Sequence, residues 1–221
     1  MLMITAPATP RARGDTRKDP RKRRRRGVLG GDVIGRKTKL GVPPLGDHWI
    51  DGSAPVKGDR RLMEWITGRG LVGVSQHEAR RHMDADLVRY FYAAAFADRA
   101  KHSPNLSHFD EAGLLPNHAS AHSDRRPFAD RFRVQVWDSP STTVVSHISK
   151  DGHYYIHPDP LQMRSLTLRE AARLQTFPDD YFFVGNKTQQ YVQVGNAVPP
   201  LLANQIAHVV AGIMDRCQST T

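Results

Sequence analysis

The Lys and Arg residues of this chain are concentrated at its amino end, and this limits how much of the chain can fold around a core. Residues 1–40 hold 13 Lys+Arg against 3 Asp, and this surplus equals the formal net charge of +10 of all 221 residues. The run RKDPRKRRRRG, from Arg17 to Gly27, has almost no apolar side chain and should stay solvated. We therefore expect residues 1–40 to be a disordered basic tail and the fold to come from residues 41–221.

Two interpretations of the basic tail stay open. Its cations could hold nucleic-acid phosphates, with an affinity that falls as salt rises because each neutralised phosphate releases counterions. Alternatively, it is a disordered extension without a function, which composition alone favours.

The sequence has no feature that is typical of a membrane or secreted protein. No segment reaches the roughly 18 consecutive apolar residues of a membrane span, and MLMIT at the start is too short for a signal-peptide core. The single cysteine, Cys217, excludes an intrachain disulfide, which agrees with a reducing compartment. We expect a cytoplasmic protein without membrane contact.

Residues 41–100 predict an irregular linker followed by a long helix. The many Gly and Pro of residues 41–74 break any long element, apart from a short helix at Asp59–Thr67. Ser75 and Glu78 have the spacing of a capping box, and apolar side chains then repeat at helical spacing, so we predict a helix over Gln76–Arg99. The repeating positions are Ala79, Met83, Leu87, Tyr90, Phe91 and Ala94.

His77 and His82 in the predicted helix are candidates for a pair of metal ligands. Residues five apart point in different directions on a helix, and no further ligand is placed near them. We predict no metal site, and we interpret the 11 scattered His as surface or hydrogen-bonded residues.

The next segment predicts a loop and then a small β-rich lobe. Residues 102–127 are rich in Ser, Asn, His, Asp and Pro, as loops are. Residues 132–136 alternate apolar and polar, which predicts a half-buried strand that carries Arg131 and Arg133 on its basic face. The β-branched run 142–148, followed by Asp-Gly and HYYIH, predicts a second strand and a hairpin.

Two helices, a short strand and a tight turn are predicted near the carboxyl end. Thr167 and Glu170 form a capping box for a helix that ends before Phe177-Pro178. We predict a short strand at 191–194, a tight turn at Gly195-Asn196, and a helix that begins at Pro199-Pro200. The last helix carries one apolar stripe, formed by Leu202, Ile206, Val209, Val210 and Ile213.

Two blocks in this region resemble the last two conserved blocks of DNA (cytosine-5)-methyltransferases, in the family's order and at a family-like spacing. They are RSLTLREAARLQTFP, residues 164–178, and QVGNAVPP, residues 193–200. Residues 131–160 look like the end of that family's variable target-recognition region, so the resemblance runs from about Ser75 to Ile213. The matching positions are Arg164, Leu166, Thr167, Arg169, Glu170, Ala172, Arg173, Leu174, Gln175, Phe177 and Pro178, then Gln193, Gly195, Asn196, Ala197, Val198, Pro199 and Pro200.

The family's catalytic residues have no counterpart in this sequence. In the family's chemistry, a cysteine thiolate adds to C6 of cytosine so that C5 can take a methyl group. Cys217 lies in DRCQSTT and not in the Pro-Cys-Gln loop where the family keeps its nucleophile, so we interpret it as a bystander. The family's Glu-Asn-Val block and a Gly-rich turn after an early strand are also missing. We assign no catalytic residue.

The resemblance implies an α/β fold. It would be the C-terminal remnant of an S-adenosylmethionine-dependent, Rossmann-like methyltransferase domain, with a small β-rich recognition lobe and a disordered basic N-terminus. After the tail (1–40) and the linker (41–74), residues 75–160 would be the target-recognition region and residues 161–215 the C-terminal part of the catalytic domain.

The resemblance also implies roles for single residues. Asn196, Ala197 and Val198 would touch S-adenosylmethionine. The residues expected near DNA are Arg131, Arg133, Thr142, Thr143, Ser146, His147, Lys150 and His153. Short polar side chains there would reach base edges, whereas Arg131 and Arg133 would contact phosphates; as plain structure, Thr and Ser on a strand are unremarkable. The residues expected to brace the two blocks are Arg164, Thr167, Arg169, Glu170, Arg173, Gln175, Gln193 and Gly195.

Three hypotheses about function follow. In the first, the chain is the C-terminal part or subunit of a DNA (cytosine-5)-methyltransferase that binds double-stranded DNA. An N-terminal partner subunit with the Pro-Cys-Gln motif would then supply the nucleophile and share the S-adenosylmethionine site. In the second, the chain is a non-catalytic DNA-binding protein that uses the tail and the lobe. In the third, it is an inactive fragment of a broken gene.

Overall fold

The structure is a computed structural model of the chain and describes residues 50–51, 59–67, 73–117 and 130–219. The predicted basic tail lies outside the described residues, as does much of the predicted linker. The described elements are, in chain order, β1 (Ile50–Asp51), α1 (Arg60–Thr67), β2 (Gly73–Val74), α2 (Asp84–Ala100), α3 (Leu106–Glu111), the 3₁₀ helix Ser146–Ser149, α4 (Leu168–Leu174), α5 (Lys187–Asn196) and α6 (Pro200–Gln218). β1 and β2 are antiparallel, with Ile50 opposite Val74.

Two hydrophobic clusters hold the described part together. The first packs α2 and α3 against neighbouring segments and contains Tyr90, Ala93, Ala97, Leu106, Phe109, Phe132, Val134 and Ile156. The second packs α4 and α5 around the 3₁₀ helix and contains Val144, Ile148, Tyr155, Leu166, Leu168, Ala171, Ala172, Phe177, Phe183, Tyr191 and Val194. Because Tyr155 and Ile156 are adjacent in the chain and belong to different clusters, their segment joins the two.

The predictions for the first two helices have different outcomes. The short helix is confirmed as α1, where the Asp59 carboxylate accepts hydrogen bonds from the backbone N–H groups of Arg61 and Leu62. The long helix begins at Asp84 and not at Gln76, so that prediction is wrong for its first part. Gln76 has φ 59°, and its side-chain amide exchanges hydrogen bonds of 2.8 and 3.0 Å with the backbone of Phe183. This tertiary anchoring outweighs the local helical pattern.

The predicted loop 102–127 contains a helix, α3, that sequence analysis missed. Asn105 caps it by accepting from the N–H groups of Ser107 and His108, while the His108 ring accepts from the Asn105 N–H. The reciprocal partner is a histidine and not the usual Glu or Gln, so the capping box was not recognised. Residues 118–127 of the predicted loop lie outside the described residues.

The predicted β-hairpin is wrong, and the β-rich lobe reduces to single bridges in the described residues. Val134 pairs with Ile156 in parallel, and Ile156 pairs with Ser165 in antiparallel fashion. The run 142–148 is not a strand, since its last residues begin the 3₁₀ helix. A turn does form at Gly152, which has φ 78°, but the chain then returns to residue 134 and not to residues 142–148.

The helix of the first block is confirmed, whereas the strand of the second block is wrong. α4 begins at Leu168 with the predicted capping box of Thr167 and Glu170. Residues 191–194 lie in α5 and not in a strand, and Gly195-Asn196 ends this helix without forming a separate turn. α5 begins at a third capping box, formed by Asn186 and Gln189, which fixes the helix before residue 191 is reached.

α6 begins at Pro200 as predicted, and its apolar stripe is exposed. Leu202, Ile206, Val209, Val210 and Ile213 are 46% to 64% exposed, and no residue of α6 is buried. The stretch Lys187–Gln218 contains an 18-residue window with a mean hydropathy of 1.4, which by length and composition is enough to cross a membrane. This stretch is interrupted between α5 and α6, and an apolar helix that packs within a soluble protein meets the same criterion.

Candidate functional site

The centre of the first block is a buried ion pair between Arg164 and Glu170. The Arg164 guanidinium donates two hydrogen bonds to the Glu170 carboxylate, at 2.6 and 2.7 Å. The carboxylate also accepts from the backbone N–H of Thr167 at 2.8 Å. Burial raises the pKa of Glu170, but the charge and hydrogen bonds of Arg164 outweigh it and hold this pKa well below its usual range. Glu170 is therefore a fixed anion.

Two histidines stand around this ion pair. His77 Nδ1 and the Thr167 hydroxyl share a hydrogen bond of 2.9 Å. His157 accepts the Asp159 N–H on Nδ1, which places the proton of its neutral ring on Nε2, 3.7 Å from Glu170. Burial lowers the pKa of both rings, that of His157 to about 4. Both rings are therefore neutral at pH 7.

Arg169 joins three chain segments through backbone carbonyls. It is only 1% exposed and donates to the carbonyls of Ser75, Pro178 and Tyr181, at 3.1, 3.1 and 2.7 Å. Burial lowers its pKa. These bonds connect α4 to Ser75, where the family resemblance begins. Arg169 therefore fixes the position of the Ser75 segment against the first block.

Arg173 and Gln175 extend the same scaffold. Arg173 makes a two-pronged ion pair with Asp179, at 2.8 and 2.6 Å. The Gln175 amide donates to the carbonyls of Val144 and Val194, at 3.0 and 3.2 Å. Gln175 therefore connects the predicted DNA-facing segment to α5.

Gly195 is required by a close approach between α5 and the 3₁₀ helix. A Cβ at this position would lie closer than 3.0 Å to backbone atoms of Val145 and Ser146. Two residues earlier, the Gln193 amide donates to the Val184 carbonyl at 2.8 Å. The second block therefore holds α5 against the predicted DNA-facing segment.

The predicted cofactor residues form an open edge. Asn196 is the last residue of α5 and is exposed, Ala197 packs partly on the second cluster, and Val198 is 61% exposed. These residues offer one exposed polar side chain beside small and apolar ones. This arrangement can form one wall against a ligand, and other residues would have to close the site.

Most residues predicted to face DNA lie at or near the surface. Thr143, His147 and Lys150 are exposed, and Ser146 is half-buried. The polar groups of Thr142 already have partners within the protein, because its N–H and its hydroxyl both donate to the Gln135 side chain at 3.0 Å.

The two predicted phosphate-binding arginines are both paired with acids. Arg131 pairs with Asp151 at 3.2 Å, and Arg133 pairs with Asp130 at 2.6 Å. Each would have to exchange a carboxylate for a phosphate.

His153 differs from the rest of the predicted DNA-facing set because it lies in the interior. It is 7% exposed, and its Nδ1 shares a hydrogen bond of 2.7 Å with the Tyr90 hydroxyl. Burial lowers its pKa, so the ring is neutral at pH 7. A base contact by His153 would require this packing to open.

Sequence analysis missed Arg80, which connects the scaffold to the DNA-facing segment. Its guanidinium lies 3.5 Å from the centroid of the Tyr191 ring and donates to the carbonyls of Ile148 and Lys150. Arg80 lies in the segment that was wrongly predicted to be the start of the long helix. No sequence signal distinguished it from the neighbouring charged residues. Cys217 is exposed on α6, and the described residues contain no cluster of three or more His, Cys, Asp or Glu that could hold a metal.

Comparison with known protein families supports the resemblance that the two blocks show. The profile of the C-5 cytosine-specific DNA methylase family matches residues 75–211. This match covers more than half of the chain, which therefore belongs to that family. The predicted family is confirmed, and membership in this S-adenosylmethionine-dependent family is consistent with a Rossmann-like methyltransferase fold.

Curated relatives include bacterial and plant enzymes. Type II methyltransferase M.Bpa9945I of Bacillus paralicheniformis is 42% identical over 171 residues, which cover 71% of this chain and 37% of that protein. Type II methyltransferase M.DdeI of Desulfomicrobium norvegicum is 32% identical over 154 residues, 65% of this chain and 34% of that protein. DNA (cytosine-5)-methyltransferase CMT3 of Arabidopsis thaliana is 38% identical over 97 residues, 44% of this chain and 11% of that protein. The chain thus spans about a third of the length of the two bacterial relatives.

Proposed function

We propose that this chain is the C-terminal part of a DNA (cytosine-5)-methyltransferase of a restriction-modification system. It contributes DNA target recognition and one wall of the S-adenosylmethionine site, and a partner chain with the Pro-Cys-Gln motif supplies the catalytic cysteine. The observation that carries this proposal is the family match over residues 75–211 in a sequence whose single cysteine lies beyond the match, at residue 217.

The exposed stripe of α6 supports a partner chain. Six large apolar side chains of this helix are at least 46% exposed, namely Leu202, Ile206, Val209, Val210, Ile213 and Met214. A contiguous apolar surface of this kind marks a protein interface or an aggregation risk. We place the catalytic partner on this stripe.

The cofactor site would be completed by the same partner. When bound, S-adenosylmethionine supplies the methyl group. Asn196, Ala197 and Val198 stand at the turn between α5 and α6, next to the proposed interface. This chain's part would be to hold one side of the cofactor and exclude water from it.

DNA recognition would rest on the segment from Thr142 to Lys150. Gln175, Gly195 and Arg80 hold this segment rigidly on α4 and α5. The target cytosine would be flipped into the partner's pocket while this segment contacts the flanking duplex. We expect the assembly to work in the cytoplasm, where its substrate is the cell's own DNA.

Reconstitution tests the proposal. Transfer of labelled methyl groups from S-adenosylmethionine to duplex DNA is measured for this chain, for a partner that carries the Pro-Cys-Gln motif, and for their mixture. We expect activity in the mixture alone. Full activity of the partner by itself would remove any essential role for this chain.

The second hypothesis, a DNA-binding protein without catalysis, is favoured by one observation. The surplus of ten positive charges in residues 1–40 provides affinity for DNA without any partner. In the same experiment, a mixture that binds duplex DNA and transfers no methyl group would decide for this alternative.

A further inference from the structure

A cleft with cationic walls lies between the segment before α2 and helices α4 and α5. Its volume is about 450 Å³, and it is lined by Glu78, Ala79, Arg80, Arg81, Leu168, Lys187 and Tyr191. Three cations face a single carboxylate, so the cleft carries a surplus of positive charge. None of these residues belongs to the predicted DNA-facing set.

The three cations of the cleft are held differently. Arg80 is fixed by the Tyr191 ring and by two backbone carbonyls. Lys187 pairs with Glu78 at 2.6 Å, and its side chain is 41% exposed. Arg81 is exposed and makes no hydrogen bond or ion pair with the part of the chain that the structure describes. Arg81 therefore brings an uncompensated guanidinium to the cleft.

The cleft is continuous with the proposed DNA-facing segment. The carbonyls that Arg80 binds belong to Ile148 and Lys150, at the end of the 3₁₀ helix. His147 and Lys150 on the same turn are exposed. A duplex that touches this turn would bring its sugar-phosphate backbone towards the cleft, and a guanidinium is well suited to phosphate oxygens.

We infer that the cleft binds a phosphodiester of the DNA backbone. Arg81 donates to the phosphate, Lys187 is the second cation, and Arg80 is a positioning residue that keeps the cleft beside the DNA-facing turn. This inference rests on the proposed function. Because the contact is to phosphate, it sets affinity and register and does not select a sequence.

The test measures the affinity of the full chain for duplex DNA as a function of salt and, separately, its affinity for inorganic phosphate. Arg81→Gln should lower the affinity roughly tenfold at low salt, the effect of one charged hydrogen bond. It should also reduce the slope of log affinity against log salt by about 0.9, equally for unrelated sequences. Glu78→Gln should have the opposite effect, because it removes the one carboxylate that lines the cleft.

Matched controls carry the same charge changes outside the cleft. Arg99→Gln lies at the end of α2 and Glu111→Gln at the end of α3, and both side chains are exposed. They should change the affinity several-fold less than the cleft variants. Unchanged thermal unfolding of all four variants confirms that each is folded.

Each remaining outcome overturns a defined claim. If Arg81→Gln and Arg99→Gln behave alike while the wild-type chain binds DNA, the cleft is not a phosphate site and the proposed function stands. If Arg81→Gln abolishes binding of inorganic phosphate and leaves duplex binding intact, the cleft takes a free anion and the inference is wrong. If the wild-type chain does not bind duplex DNA at all, the proposed function fails first.

Discussion

The guanidinium of Arg164 and the carboxylate of Glu170 meet in a two-pronged ion pair inside the protein, with hydrogen bonds of 2.6 and 2.7 Å. The pair belongs to the first block, and Glu170 also caps α4. It therefore connects the start of the first block to the helix α4.

Removing one member of this pair should destabilise the chain strongly. Arg164→Ala leaves the Glu170 carboxylate buried without its partner, and we expect a loss of about 3–5 kcal/mol in the free energy of unfolding by urea. The control is Arg60→Ala, which breaks an exposed pair with Glu64 and should cost less than about 1 kcal/mol. Similar losses for both variants would contradict the role of burial.

The close approach at Gly195 gives a second prediction. Gly195→Ala forces a methyl group against the backbone of Val145 and Ser146, and we expect it to cost roughly 1–3 kcal/mol of stability. Gly212→Ala on α6 is the matched control, since nothing lies within 4 Å of its Cβ position. It should stabilise the helix by up to about 1 kcal/mol. Equal thermal shifts for the two variants would show that α5 and the 3₁₀ helix do not touch as described.

Acid should weaken the fold through its buried neutral histidines. The pKa of His157 falls from 6.5 to about 4 in the folded chain because the ring is buried, as does that of His82. Between these two pH values the unfolded chain binds protons that the folded chain does not, so the contribution of these histidines to stability falls as the pH drops from 6.5 to 4 and then stays constant. His157 alone contributes on the order of 3 kcal/mol to this loss.

Urea unfolding at a series of pH values measures this dependence. His157→Asn should reduce the slope of stability against pH by up to about 1.4 kcal/mol per pH unit within this window. The matched control is His147→Asn, which changes an exposed side chain and leaves the buried ring of His157 in place. A slope that is the same for wild type and His157→Asn would disprove the assignment.

The apolar stripe of α6 should be needed for assembly and not for folding. Val209 is 64% exposed, so Val209→Lys should leave thermal unfolding almost unchanged. It should weaken binding to the catalytic partner at least tenfold, because a lysine in an apolar interface is desolvated. Asn204→Lys, on the opposite face by helical spacing, adds the same charge and should bind as wild type. Calorimetric titration with the partner separates the two cases.

The sequence predicts the helical blocks well because their signals are local. Thr167 and Glu170 lie three residues apart and close their capping box without help from the rest of the chain. Pro200 likewise begins α6 on its own. The family match over residues 75–211 confirms the family resemblance of both blocks.

The wrong predictions of secondary structure fall where contacts between residues far apart in the sequence determine the local conformation. Gln76 is kept out of a helix by Phe183, more than a hundred residues away. The run 142–148 looks like a strand by its β-branched residues, but Gln175 and the close packing at Gly195 hold it against α4 and α5. The roles predicted for single DNA-facing and cofactor-facing residues stay predictions, since exposure shows access and not contact.

The central claim is that the partner chain supplies the catalytic cysteine. It is tested most directly by finding out which cysteine methyl transfer requires. Methyl transfer to duplex DNA is measured in the mixture of this chain and its partner, with Cys217→Ser in one arm and the cysteine of the partner's Pro-Cys-Gln motif changed to serine in the other. We predict full activity in the first arm and none in the second. Loss of activity with Cys217→Ser, or methyl transfer by the purified chain alone, would contradict the account.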